Sequence, residues 1–287
     1  MSMQLPRQEA GKAHRYLNEI ESVVASIRAC ESALIAFSGG VDSSVVAKLA
    51  EQALGDNAVA VTVDNGALHR GEAEGADEIA KALGIRRLAI TLEPLKLLEV
   101  KQNDPQRCYY CKRLIFGALR CMADELCLKT VMDGTNASDL ERYRPGLKAL
   151  REIGVVSPLL GLTKDEVRNI ARLLNLPNAD APSVACLFTS FPYGTTITSE
   201  RIERLRGAED ALRAIGILDV KVRDHHDFAR IEVNREDAET VVAHSSTLAE
   251  TFSKLGFTYV TLDLGWLRSG SMDISLNSTN KKSTKAR

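Results

Sequence analysis

Leu34-Ile35-Ala36-Phe37-Ser38-Gly39-Gly40-Val41-Asp42-Ser43-Ser44-Val45-Val46-Ala47-Lys48-Leu49-Ala50 runs from an apolar strand through a Ser/Gly turn into a helix. The flanks make the turn informative. Ala33 to Phe37 is a short apolar run, and Val45, Val46, Leu49, Ala53 and Leu54 form a stripe at helical spacing. A strand that turns directly into a helix aims the helix's first N–H groups, and its positive dipole end, at whatever occupies the turn. Gly39 and Gly40 let that backbone approach an anion closely. The stretch reads as a cradle for nucleotide phosphates, with Ala36, Ser38, Gly39, Gly40, Val41, Asp42, Ser43 and Ser44 as candidate contacts. The plainer alternative is an ordinary turn N-capped by Asp42 or Ser43. The G-x-x-x-x-G-K-[ST] pattern does not occur here, so no lysine is supplied for simple terminal-phosphate transfer.

Outward from the loop, strands and helices alternate. A helix over Ala13–Cys30 leads in; strands are expected at Ala58–Val63, Arg87–Thr91 and Thr130–Met132, with helices at Gly71–Leu83 and Lys112–Leu126. That alternation predicts right-handed crossovers and an α/β fold, a parallel sheet with helices on both faces. Ligands of such sheets sit at the carboxyl ends of the strands, which makes Thr62, Asp64 and Gly134 candidates for adenine or ribose contacts.

At 287 residues the chain suggests two domains. The first spans 1–190. After the Pro177–Pro182 stretch the pattern changes to a small α+β domain over 198–268: a helix from Thr198 carrying Ile202, Leu205, Leu212 and Ile215, an alternating strand at Leu218, Val220 and Val222, another at Ala229, Ile231 and Val233, a helix over Glu236–Leu255, and a last strand over Phe257–Leu264. From Ser269 a Ser/Asn/Lys-rich tail, 269–287, reads as disordered. Thirty-seven basic against thirty-eight acidic residues leave a formal charge of −1, which gives no field for nucleic acid or an anionic membrane. No apolar run has membrane-spanning length, and the expected location is cytoplasmic.

Six cysteines are too sparse for a disulfide scaffold. Cys30, Cys121 and Cys127 lie among apolar residues and are expected in the core. Arg107-Cys108-Tyr109-Tyr110-Cys111-Lys112 differs: C-x-x-C at a helix start, beside two cations, favours thiolates, and Cys186 follows far along the chain. Structural zinc, a redox or persulfide pair and an iron–sulfur cluster are all compatible; zinc would want a fourth ligand, whereas three thiolates on a cubane leave one iron open. Lys221 and Arg223 alternate onto one strand face, His225 follows, and Arg230 lies on the next strand, which suggests an anion pocket.

Ser38-Gly39-Gly40-Val41-Asp42-Ser43 resembles the pyrophosphate loop of enzymes that cleave ATP to AMP and pyrophosphate, on the adenine nucleotide alpha hydrolase-like (PP-loop) fold. Together with Cys108-Tyr109-Tyr110-Cys111-Lys112, Asp133-Gly134-Thr135-Asn136-Ala137, Arg144-Pro145-Gly146, Pro182-Ser183-Val184-Ala185-Cys186-Leu187, Pro192-Tyr193-Gly194-Thr195, Ala229-Arg230-Ile231-Glu232-Val233 and Ser269-Gly270-Ser271-Met272, it resembles the LarE family over nearly all of residues 13–273. The resemblance implies an ATP-dependent sulfur transferase that adenylates the carboxylates of pyridinium-3,5-biscarboxylic acid mononucleotide and replaces AMP with sulfur, for the nickel-pincer nucleotide cofactor of lactate racemase. It implies catalytic roles for Cys186, Cys108, Cys111 and Glu232, and substrate contacts from Lys221, Arg223, Arg230 and Arg144. One branch of the family sacrifices the sulfur of a cysteine matching Cys186; the other holds a 4Fe–4S cluster on three cysteines, and the pattern Cys108, Cys111, Cys186 matches the second. Mg²⁺ is expected with ATP, near Asp42. A sulfide source, a downstream nickel-insertion protein and a homo-oligomer are the implied partners. Lys221 stands where the family often has Arg, and Asp224 and His226 depart from the commoner residues. A cluster-dependent tRNA thiolase, a ligase of the NAD or GMP synthetase kind, and a non-catalytic nucleotide-binding protein with structural zinc share parts of the pattern; low charge and few aromatics weigh against RNA.

Overall fold

Four strands, β1 (Ala33–Ala36), β2 (Ala58–Asp64), β3 (Arg86–Thr91) and β4 (Thr130–Met132), pair in parallel in the order β3-β2-β1-β4. The computed structural model describes residues 7 to 274 apart from Arg142, Ser183 and Ser269. β1 and most of β2 are buried on both faces, which is why they read as continuous apolar runs. Alternate residues feed two cores. Ala33, Ile35, Ala58 and Ala60 pack with Val45, Leu49, Ala80, Val167 and Ile170, while Leu34, Val59, Val61 and Val131 pack with Phe116, Leu119, Ala123 and Leu150. The sheet is therefore covered by helices on both faces, as its sequence predicts. The chain leaves β1 toward β2 on one side and returns to β4 on the other, so the reversal in strand order lies between β1 and β4, where such sheets bind ligands at their carboxyl ends.

The helix after the cysteine pair begins at Arg107 and runs to Glu125, so Cys108 and Cys111 both lie inside it rather than before it. Three helices between 137 and 173 escaped the sequence reading: Ala137–Leu140, Gly146–Ile153 and Lys164–Leu173. The last carried a legible signal, the capping box Thr163-Lys164-Asp165-Glu166, in which Glu166 accepts from the Thr163 N–H at 2.9 Å.

The chain divides into two compact units, one of Met1–Asp64, Gly71–Leu92 and Cys111–Ser183, the other of Asn65–Arg70, Glu93–Tyr110 and Val184–Arg287. In the second, β5 (Val220–His225) and β6 (Phe228–Val233) form an antiparallel hairpin through His226 and Asp227, and β7 (Tyr259–Leu262) joins β6 in parallel. One sheet face is apolar, built by Val220, Val222, Ala229, Ile231 and Val233, and it rests on the helix Ser199–Ala214 through Ile202, Leu205 and Leu212. The expected helix over Glu236–Leu255 is two helices, Ala238–Ala243 and Ser245–Lys254, with the break at His244. Leu218, assigned to the strand, lies outside β5 and is exposed.

Of the cysteines expected in the core, Cys121 and Cys127 are exposed and Cys30 is half-buried. The reason is helical phase. Phe116, Leu119 and Ala123 take the inner face of Arg107–Glu125, which turns Cys121 outward; Cys127 follows the helix end at φ 57°. No helix among the described residues is long and apolar enough to cross a membrane. The tail expectation falls largely on Ser269 and residues 275–287, outside the described residues.

Candidate active site

The Ser/Gly turn sits at the carboxyl end of β1 and opens the helix Val41–Leu54. Its own side chains shape it. Ser43 Oγ donates to the Gly40 carbonyl at 3.0 Å and lies 3.2 Å from Ser38 Oγ, while the Gly40 N–H donates to Ser38 Oγ at 3.3 Å. Ser38 and Gly40 stay exposed; Val41, Ser43 and Ser44 are buried. Gly40 caps the helix without a side-chain hydrogen bond, so the plain N-cap alternative, with Asp42 or Ser43 as cap, does not describe this turn. Ala36, the last residue of β1, is half-buried beneath it.

Glycine is required twice. Gly39 has φ +76°, and a Cβ there would sit 3.0 Å from Ala76 Cα. Gly134, in the loop after β4, has Ser43 N and Asp42 C within 2.8 and 2.9 Å of where a Cβ would lie. The β4 loop thus packs onto the backbone of the cradle itself.

Three residues absent from the sequence reading of the cradle hold it. Asn178 donates through Nδ2 to the Gly39 carbonyl at 2.7 Å and to Ser44 Oγ at 2.9 Å. Lys164 pairs with Asp42 Oδ2 at 2.5 Å, and Asn136 Nδ2 donates to Asp42 Oδ1 at 3.2 Å. Both oxygens of Asp42, the expected magnesium ligand, therefore already face donors. Thr62 is buried, its hydroxyl accepting from Arg87 Nε at 2.9 Å; Asp64 is exposed at the end of β2. Replacing Asn178 by Ala is expected to raise the KM for ATP about tenfold, the equivalent of about 1.4 kcal/mol from an unmet carbonyl in the loop. Steady-state pyrophosphate release measures it.

The second unit holds the other constellation. Arg107 is buried; it donates to the Phe188 carbonyl at 2.8 Å and to the Asn103 side chain, and its NH2 lies 3.4 Å from Cys108 Sγ. Burial works against its charge, but Cys108, Cys186 and Tyr193 favour it and raise its pKa further. A fixed cation thus stands beside the Cys108 thiol. Asn103, fully buried at φ 53°, donates to the Phe191 and Pro192 carbonyls at 3.0 and 2.7 Å and so ties the segment after Cys186 to the cysteine helix. Cys186 itself is exposed and opens the turn Leu187–Ser190, where Thr189 Oγ1 donates to its carbonyl at 2.7 Å. Tyr193 donates to Asp273 at 2.8 Å; burial and that bond push its phenol well above the usual value.

The polar face of the small sheet lies behind this turn. Register places Lys221 opposite Glu232 and Arg223 opposite Arg230, on one face with His225. Arg223 donates to the Thr189 carbonyl at 3.2 Å and to Glu232 at 2.9 Å; Arg230 and Ser271 donate to Glu232 at 2.9 and 3.1 Å. Burial works to raise the Glu232 carboxyl, yet Arg223, Ser271 and Arg230 outweigh it and hold it below the usual carboxylate range. Burial and the charge of Arg223 lower the Lys221 ammonium. Cys108, Cys186, Arg223, Arg230 and Glu232 thus belong to one unit and, in the case of Cys186, Arg223, Glu232 and Arg230, to one chain of contacts through Thr189. Arg144 belongs to the first unit, where it pairs with Asp139 at 2.9 Å.

His225 carries a pH prediction. Burial, then Arg230, lowers its pKa from 6.5, and Nε2 is buried without a hydrogen-bond partner, so the folded ring is neutral. The unfolded chain takes up this proton at higher pH than the folded one, so stability falls as pH drops below 6.5. Below 4.5 protonation of Glu232 adds to the loss. Thermal unfolding of His225→Asn should show a smaller decline between about pH 7 and about pH 5.5.

Among the described residues no group of three or more His, Cys, Asp or Glu is gathered closely enough to hold a metal ion. Cys108 and Cys111, three apart on a helix, share a face, and the thiol donor type suits iron.

The NAD synthase family matches residues 13–113. The pyridinium-3,5-bisthiocarboxylic acid mononucleotide synthase of Lactiplantibacillus plantarum is 36% identical over 258 residues, 89% of this chain and 94% of that protein. An uncharacterized protein of Synechocystis, slr1717, is 42% identical over 85% of this chain and 92% of its own. A component of the glutamine-hydrolysing GMP synthase of Methanothermobacter thermautotrophicus is 35% identical over 55% of each chain. The likeness that spans both units, and not only the phosphate loop, decides the matter: the chain belongs to the LarE family of pyrophosphate-loop, ATP-dependent enzymes.

Proposed function

We propose that this chain is an AMP-forming sulfur transferase that converts the carboxylates of pyridinium-3,5-biscarboxylic acid mononucleotide to thiocarboxylates, for the nickel-pincer nucleotide. The observation that carries the reading is the buried Arg107 beside Cys108, with the exposed Cys186 contributing to its charge environment, on a chain that matches 94% of the length of a bisthiocarboxylate synthase. A substrate carboxylate oxygen attacks the α-phosphorus of ATP and pyrophosphate leaves. A sulfur nucleophile then attacks the acyl carbon, AMP departs with the former carboxylate oxygen, and the cycle repeats on the second carboxylate. The cradle's N–H groups hold the phosphates. Arg230 and Lys221 offer charge to the substrate's phosphate or carboxylates, and Glu232 fixes Arg223 and Arg230 in place. Mg²⁺ accompanies ATP in this reading, bound mainly by phosphate oxygens and water.

For the sulfur source, the three-cysteine pattern supports a 4Fe–4S cluster held by Cys108, Cys111 and Cys186, which would supply sulfide from its open iron. The exposure of Cys186 against the burial of Cys111 supports a second reading. In it, Cys186 Sγ forms a thioester on the acyl carbon; loss of the Cα proton and cleavage of Cβ–Sγ leave thiocarboxylate and dehydroalanine. Anaerobic turnover with ATP, Mg²⁺, sulfide and the biscarboxylate decides. Thiocarboxylate with an intact, iron-containing protein supports the cluster; a chain lighter by one cysteine sulfur supports sacrifice. ATP-independent product, or none, overturns the function itself.

A further inference from the structure

The segment Asn65–Arg70 follows β2 yet belongs to the second unit, and nothing in its sequence announces a role. It brackets Cys186. The Leu187 N–H donates to the Ala67 carbonyl at 3.3 Å, and His69 Nε2 lies 3.1 Å from the Ala185 carbonyl. A carbonyl only accepts, so Nε2 carries the proton and donates. The peptide groups on both sides of Cys186 are thereby held while its own side chain is exposed.

The ring is itself fixed. His69 is 9% and Glu209 1% exposed, and Glu209 Oε2 lies 3.1 Å from His69 Nδ1. Glu209 also accepts from Arg213 at 2.8 Å through Oε2 and from the Val222 N–H of β5 at 3.2 Å through Oε1. Arg213 NH2 lies 3.4 Å from His69 Nδ1. From the same helix Arg206 donates to the Leu68 and Gly66 carbonyls at 2.6 and 2.8 Å. Arg206, Glu209 and Arg213 of Ser199–Ala214 thus grip the bracket's backbone and its histidine.

A buried carboxylate–histidine pair whose other ring nitrogen is directed at the main chain next to a reactive cysteine is a costly arrangement for mere packing. We infer that His69, oriented by Glu209, is a positioning residue for Cys186, holding the Ala185 carbonyl so that the thiol keeps its place at the opening of the Leu187–Ser190 turn. The inference rests on the sulfur-transfer reading for its consequence, and on geometry alone for the pin.

Two measurements on the full chain separate these. Hydrogen exchange followed by mass spectrometry over residues 185–190 reads the pin: His69→Leu should accelerate exchange there, and His69→Gln, which keeps an N–H at the ε position, should restore it. Turnover reads the consequence: His69→Leu should lower kcat for thiocarboxylate formation about tenfold or more, with the KM for ATP unchanged and His69→Gln recovering most of the rate. If His69→Leu fails to fold, His69→Asn, too short to reach Ala185, gives the same contrast with His69→Gln. Wild-type exchange in the donor-lacking variant, or equal impairment in Leu and Gln variants, overturns the positioning role. A wild-type protein that makes no thiocarboxylate overturns the functional reading instead, and the exchange result still stands.

Discussion

Cys186→Ser is expected to keep ATP-dependent pyrophosphate release while thiocarboxylate formation falls by at least ~10³-fold, as for loss of a group that bonds covalently to the transferred atom. Serine leaves the backbone unchanged: Thr189 Oγ1 still donates to the residue 186 carbonyl, the Leu187–Ser190 turn still opens there, and an exposed position tolerates the smaller atom. What it removes is sulfur. A hydroxyl neither ligates iron as a thiolate does nor carries or surrenders a sulfur atom. Cys108→Ser and Cys111→Ser discriminate further. Under the cluster reading both lose iron and activity along with Cys186→Ser; under sacrifice both retain a single turnover. A Cys186→Ser protein making product at near wild-type rate would remove this cysteine from the sulfur path under either reading.

The cradle and the cysteine site were legible to different depths, and the difference is physical. The strand, turn and helix over Ala33–Leu54 are set by local periodicity and two glycines, so the sequence places them within a residue. The cysteines announce themselves by spacing, and the alternation of Lys221, Arg223 and His225 gives their shared face directly. The partners that complete each site do not. Asn178 reaches Gly39 across 139 residues, Lys164 reaches Asp42 across 122, and His69 reaches Ala185 across 116. Such bonds leave no periodic trace, because each needs only one polar side chain on a loop or helix end whose position the whole fold determines. The same holds for the bond that Arg87 of the neighbouring strand donates to the Thr62 hydroxyl across 25 residues.

Gly134 was marked as a nucleotide contact, but the structure gives it a harder constraint, and the second large effect follows. A methyl group at this position would lie 2.8 Å from Ser43 N, 2.9 Å from Asp42 C and 3.0 Å from Asp42 Cβ. Two of these three are backbone atoms in the first turn of Val41–Leu54, the turn proposed to hold the phosphates, so no flexible side chain can yield. Either the helix start or the β4 loop must move by several tenths of an ångström. Asn136, two residues on, would move with it and loosen its bond to Asp42. Gly134→Ala should therefore lower ATP-dependent pyrophosphate release about 100-fold, the scale of a displacement approaching an ångström at a reacting centre, with about 1–3 kcal/mol lost in stability. Gly117→Ala is the contrasting substitution. A Cβ there meets nothing within 4 Å, the residue lies inside the helix Arg107–Glu125, and alanine should stabilise it by about 0.5–1 kcal/mol with pyrophosphate release unchanged. Thermal unfolding of both variants fixes the folded fraction. A folded Gly134→Ala protein that releases pyrophosphate at the wild-type rate would show that the β4 loop does not set the cradle's geometry.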